Sequence, residues 1–190
     1  MRRITALTAL WLCSIIFGIA DTAFIKVPST TFTGYIVQKE FAGEQLQGIN
    51  ADMGGKWLDK DGRWTPSSDN AIHAEKAVQK FLNRSTTELH LAFPEIVAHP
   101  EKFAPGAIEG CKKQLAGINL HYGQYGIQFA GIKVHGRRKI LCNFFYLPDP
   151  IYVDPSARFV VVNDGGYYFW HIEYDVSMDT CSNIQINGGE

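Results

Sequence analysis

The chain is short of charge. Only 19% of its residues are Asp, Glu, Lys or Arg, and 18 basic residues nearly balance 19 acidic ones, for a formal net charge of −1. Nucleic-acid recognition needs a basic surface that displaces counterions, so that class is disfavoured. Low hydrophobicity is missing too. At 46% hydrophobic and 13% aromatic, the composition excludes an intrinsically disordered chain. The fingerprints of common chemistry are also absent. There is no G-x-S-x-G elbow, no P-loop, no dinucleotide-binding glycine motif and no H-E-x-x-H. No cofactor is expected. Neither a repeat nor a linker divides the 190 residues, so one domain is the expectation.

The long uncharged run comes at the start. Arg2 and Arg3 precede Ile4–Ala20, which carries no charge and ends on Gly18-Ile19-Ala20. A charged lead, an apolar stretch and a small-residue exit are the parts of a secretory signal peptide, with cleavage expected before Asp21. The alternative is an uncleaved membrane anchor over residues 4–20, at the short end of a spanning helix. Cys13 follows Trp11-Leu12 inside the run rather than a small residue at its end, which argues against lipidation. Removal of residues 1–20 leaves 16 basic and 19 acidic residues, a net charge of −3 over 170 residues. An exported chain, periplasmic or secreted, follows as the expected location. Three cysteines then remain, Cys111, Cys142 and Cys181. In an oxidising compartment they allow one bridge. Cys142 and Cys181 both fall in expected strands and are the candidate pair; the alternative is three small buried hydrophobes.

Phe32–Lys39 reads as a strand, and residues 43–62 as loop. Within that loop Asp59-Lys60-Asp61-Gly62 begins like a calcium loop but lacks a third oxygen ligand and the later Glu, so it reads as a turn. Trp64-Thr65-Pro66 opens a helix, with Thr65 as its cap and Pro66 at its first position. Ala71, Ala74, Ala77, Val78, Phe81 and Leu82 form its apolar stripe. It should end near Asn83-Arg84-Ser85. Glu88–Phe103, broken by Pro94 and Pro100, reads as short helical turns. Strands follow at Tyr125–Val134 and Lys139–Tyr146, joined by a His135-Gly136 hairpin. Further strands are expected at Arg158–Val162, Tyr167–Val176 and Cys181–Asn187. The expected fold is therefore α+β. One long helix packs on a curled antiparallel sheet of four to five strands, cystatin-like in outline, over residues 21–190. Residues 21–62 form a poorly defined N-terminal strand and loop.

Several landmarks recur in order. Trp64-Thr65-Pro66 heads the helix, and Asn143-Phe144-Phe145 lies in a strand. Asp164-Gly165-Gly166 precedes Tyr168-Phe169, and Asn187-Gly188 comes near the end. Over residues 60–190 this resembles a group of small exported bacterial proteins of unknown function. The resemblance implies a fold and an export route; it implies no activity and carries over no catalytic residue.

Three features invite a functional reading. His171, Glu173 and Asp175 alternate on one strand face and could ligate a divalent metal or serve a small hydrolase. A solvated polar strand face explains the same alternation without any ligand, and no metal site is expected. Asp164-Gly165-Gly166 could offer backbone amides to an anion, or be a tight turn. Cys142 as a nucleophile would need His121 or His135 beside it. Aromatic residues crowd the sheet, and Tyr167 and Phe169 beside His171 would be exposed unless the segment from Glu88 to Gly110 covers them. The candidate binding face is thus Tyr167, Phe169, His171, Glu173 and Asp175. The function expected is a non-enzymatic binding or inhibitory module acting on an envelope or extracellular protein. The alternatives are a metal-dependent or hydrolytic enzyme on the His/Glu/Asp face, or a structural envelope component. Membrane contact is expected only through an uncleaved leader.

Overall fold

His135 and Gly136 both adopt positive φ, 50° and 77°, and so close the turn between β3 (Tyr125–Val134) and β4 (Arg137–Tyr146). The pairing then runs without a slip from Val134 opposite Arg137 to Tyr125 opposite Tyr146. β5 (Gly166–Asp175) and β6 (Thr180–Asn187) continue the antiparallel ladder. The computed structural model describes residues 23–46, 62–148, 153–162 and 164–188. The expected leader or anchor, and the turn at 59–61, lie outside the described residues.

The architecture differs from the expected one in two respects. The sheet has six strands and is mixed, in the order β1-β2-β3-β4-β5-β6. β1 (Phe24–Lys26) and β2 (Thr33–Val37) form an antiparallel pair, but β2 runs parallel to β3. Parallel neighbours need a long crossover, and here the chain from residue 38 to residue 124 supplies it. Nor does a single helix cover the sheet. The helices are α1 (Lys39–Gln45), α2 (Ser68–Ser85), α3 (Leu89–Ala92), α4 (Pro94–Ala98) and α5 (Ala107–His121). Among the described residues no helix is long and apolar enough to cross a membrane.

α2 is the helix expected from the alanine stripe, but its cap is Ser67, not Thr65. The Ser67 hydroxyl accepts from Asn70 N at 3.2 Å while Asn70 Oδ1 accepts from Ser67 N at 3.2 Å, a reciprocal pair that satisfies two otherwise orphaned donors. Thr65 serves a different helix: its hydroxyl accepts from Lys39 N at 3.0 Å, at the start of α1. Trp64 clamps the hairpin. Its indole donates to the carbonyls of Ile132 and Lys139, both at 3.2 Å, and its own amide donates to Gly131 O.

Both faces of the sheet are covered. On one side Ala71, Ala74, Val78 and Leu82 of α2, with Leu115 and Ile118 of α5, meet Ile127, Phe129, Phe144, Trp170 and Ile172. On the other side Ala42 and Leu46 pack with Val37, Ala130, Ile132, Leu141 and Phe159, while Val160 packs with Phe145 and Phe169. The second cover includes residues 153–162, where Arg158–Val162 was expected to be a strand. It is irregular backbone held by side chains. Gln128 Nε2 donates to Pro155 O and Arg158 O at 2.8 and 2.6 Å. Gln128 Oε1 accepts from Val160 N at 2.8 Å, and Asn143 Nδ2 donates to Val160 O at 2.8 Å. Two buried amides thus take the place of a neighbouring strand.

Candidate binding site

The face carrying Phe169, His171, Glu173 and Asp175 is interior. These residues are 7%, 7%, 1% and 4% exposed. The expected polar-out strand face is therefore corrected: Val160 and Phe145 pack on Phe169, and Glu173 and Asp175 are enclosed by partners within the fold. Of the segment from Glu88 to Gly110, α3 packs on α2 and β6, α4 packs on α3 and α5, and residues 91–96 border a cleft that Glu173 also lines. Each carboxylate on this face is already engaged. Glu173 Oε2 pairs with Lys139 Nζ, and Glu173 Oε1 accepts from Asn183 Nδ2 at 3.0 Å. Asn183 reaches it through positive φ (55°) where β6 departs from regular register. Burial pushes the Asp175 carboxyl up, but hydrogen bonds from Ser177 and from the Met178 and Ser177 amides, with Arg137 at 3.4 Å, outweigh it and hold the group below the usual carboxylate range. His171 sits opposite Asn143 on β4 and Gln185 on β6. Among the described residues no three His, Cys, Asp or Glu side chains are placed to share a metal ion.

The Asp164-Gly165-Gly166 segment is a turn whose amides are spent. Gly165 N and Gly166 N both donate to Gly188 O, at 3.2 and 3.0 Å, so neither is available to an anion. Both glycines have positive φ, 117° and 57°, which L side chains rarely adopt.

The thiols are separate. Cys142 lies on β4 opposite Ile172, and Cys181 lies on β6 opposite Tyr174, with β5 between them. Two interstrand steps span about 10 Å. Disulfide geometry tolerates Cα separations of only about 7 Å. The candidate pair is therefore not bridged, and Cys111, Cys142 and Cys181 are all free thiols. Burial pushes the Cys142 thiol well up, and its hydrogen bond goes to Ile140 O at 3.9 Å. Such a thiol is a poor nucleophile. Burial and Asp179 push Cys181 up to about 12.

What the structure does assemble is an aromatic edge at the other end of β5. Tyr167, alone of the five candidate residues, joins it. Its ring lies along α5 over Gly117, where a Cβ would come within 2.6 Å of the ring. It stacks on His121 with centroids 5.8 Å apart and planes 6° apart. Tyr168 tilts against Tyr167 at 4.5 Å and against Tyr146 at 4.8 Å, and Tyr146 meets His121 edge-on at 5.2 Å. All four side chains are half-buried. Tyr146 Oη donates to Gln124 Oε1 at 2.6 Å, and Tyr167 Oη to Tyr168 Oη at 3.3 Å. From below, the buried Tyr125 donates to the carbonyl of Tyr167 at 2.5 Å. Tyr122, next to His121, donates to Glu75 Oε1 and Glu75 O at 3.1 and 3.2 Å and so ties the end of α5 to α2.

Beside the rings lies a cleft of about 660 Å³ between α5 and the glycine turn. Lys113 and Gln114 line one wall, and Asp164, Gly165, Gly166 and Gly188 the other, with Tyr167 and Tyr168 at its end. The side-chain Oε1 of Gln114 is buried against Gly166 and has no hydrogen-bond partner among the described residues. An unmade bond of this kind costs about 1–3 kcal/mol. Lys113, Gln114 and the packing of His121 escape a sequence reading because they arrive with α5, whose periodicity is blurred by Gly110 and Gly117. The signal that could have found them is Gly117 itself: a glycine inside a helix marks a close approach. No protein-family model, curated protein or solved structure matches this chain.

Proposed function

We propose that this chain is an exported, non-enzymatic binding module whose recognition surface is the ring platform of His121, Tyr146, Tyr167 and Tyr168 with the adjoining glycine-walled cleft. The observation that carries this reading is the platform. Four half-exposed rings, three of them tyrosines, are held rigidly by one another, by α5 and by the Tyr125 hydroxyl. Tyrosine supplies large contact area with little conformational freedom to lose, which is why it dominates recognition surfaces. Catalysis on the His171/Glu173/Asp175 face has little support, since both carboxylates are engaged by internal partners.

The test is affinity capture from envelope and extracellular fractions with the wild type and with a Tyr146→Ala/Tyr168→Ala variant of unchanged circular dichroism. The reading expects a saturable ligand that the variant loses. Equal capture by both proteins overturns it. Separation of the mature chain from the leader during expression in a secreting host, read by intact mass, tests export; full-length protein retained in the cytoplasm overturns that part.

A further inference from the structure

We infer that the ligand of this cleft is a neutral saccharide. The inference rests on the binding-module reading above and names the chemistry that the same site would take. A pyranose has two demands that few other ligands combine: a C–H face that lies on an aromatic ring, and a circle of hydroxyls that both donate and accept. The cleft meets both. Tyr167 and Tyr168 line its end, with their hydroxyls 3.3 Å apart. Lys113 offers donors on one lip and the Asp164 carboxylate offers acceptors on the other, with no net charge between them. Gln114 lines the wall behind them.

Charged ligands and extended peptides fit less well. An anion would look for free amides, but those of Gly165 and Gly166 are spent on Gly188 O. A peptide adding as a strand needs an open backbone edge. At this wall Asp164 already bridges Gly188, so the edge is taken. The volume of about 660 Å³ lies inside the usual small-molecule range of about 300–1,000 Å³.

The experiment is a calorimetric titration, with saturation-transfer NMR, of the full chain against cellobiose, maltose, lactose and diacetylchitobiose. A panel of neutral tetrapeptides and sialyllactose is titrated in parallel. The expectation is saturable binding of at least one neutral disaccharide, weakened about tenfold or more by Tyr168→Ala. Gln114→Ala should weaken it as well, while Met178→Ala, in the exposed turn at the opposite end of β5, should not. Tyr168→Phe keeps the ring and the fold, and is expected to retain most of the affinity. No binding by any neutral saccharide, or binding that survives both Tyr168→Ala and Gln114→Ala, overturns the inference. If peptides or a captured protein bind through Tyr168 while saccharides do not, the saccharide is wrong and the binding-module reading stands. If nothing bound depends on Tyr168, both fall.

Discussion

The hydroxyl of Tyr125 ends on the main-chain carbonyl of Tyr167, 2.5 Å away, and this one bond ties the exposed rings to the buried core. Tyr125 is 2% exposed and packs edge-on against Phe144 and Trp170. The carbonyl it serves belongs to a stretch of β5 that has left its register with β6. Tyr125→Phe should therefore cost about 1–3 kcal/mol, because the carbonyl is left without its donor. The same change should weaken ligand capture although Tyr125 is not on the surface. Urea denaturation and the capture assay read the two effects. A stability loss with capture untouched would show that the platform holds itself.

The Lys139–Glu173 pair is the most deeply placed ion pair among the described residues, with side chains 9% and 2% exposed. Taking one charge away leaves the other stranded, so Lys139→Met or Glu173→Leu alone should destabilise by about 3–5 kcal/mol. The double variant should lose much less than the sum, since two apolar side chains need no partner. Asn183 then loses its acceptor, and being near the edge strand it can turn to water. A thermodynamic cycle by urea denaturation checks this. Additive losses would mean that the pair does not interact.

Glu75 sets a pH dependence of definite sign. Burial raises its carboxyl above the usual glutamate range, against the opposing effects of Tyr122 and Lys76. The folded state then holds the proton more tightly than the unfolded state, so stability falls as pH rises between the two values. Above the folded value the carboxylate is a standing cost, and that cost vanishes as pH drops below the unfolded value. Glu75→Gln keeps an acceptor for Tyr122 and removes the charge. It should be the more stable protein at neutral pH, with the advantage shrinking toward acid. Melting temperatures across pH 4–8 test the trend; a difference independent of pH would contradict it.

The cysteines give a chemical prediction. Cys142 is fully buried and Cys181 has its thiol raised to about 12, so few thiolates exist at pH 8. Iodoacetamide should label both slowly in the native protein and fully in urea. Tryptic mapping after mild oxidation should show no Cys142–Cys181 peptide. Recovery of that cross-linked peptide from native protein would require β5 to leave the sheet.

The strands of the C-terminal half are legible because their signals are local. His135-Gly136 and Ser177-Met178-Asp179 fix two turns, and alternation between them fixes the strands. Partners that are distant in sequence left no such trace. Nothing in Thr33–Val37 tells which strand will lie beside it, and β3 is reached only after the whole helical layer. Helix α5 was hidden for a related reason. Gly117 weakens the helical pattern locally because its role is to admit the ring of Tyr167 from another element.

The site followed the same division. Tyr167 was visible as part of an aromatic excess, but alternation grouped it with Phe169. The irregular pairing of β5 with β6 separates them, and Phe169 joins Phe145 and Val160 instead. His171, Glu173 and Asp175 looked like a surface because polar alternation usually marks one. The neighbouring strands carry polar groups too, and Lys139 pairs with Glu173 while Asn143 bonds Gln128, so the polar side chains here meet partners inside the fold rather than solvent.

The parallel pairing of β2 with β3 also orders events in time. During synthesis β2 emerges long before β3, so it must wait without its neighbour while residues 38–124 are made. Contacts so far apart in sequence slow folding, because loop closure precedes any reward. The antiparallel ladder from β3 to β6 needs only short turns and can form by itself first. The N-terminal hairpin of β1 and β2 is then expected to dock last, against an exposed edge of β3. Until it does, that edge is the place where a second nascent chain could add instead, so a delay in this final step is where aggregation would begin.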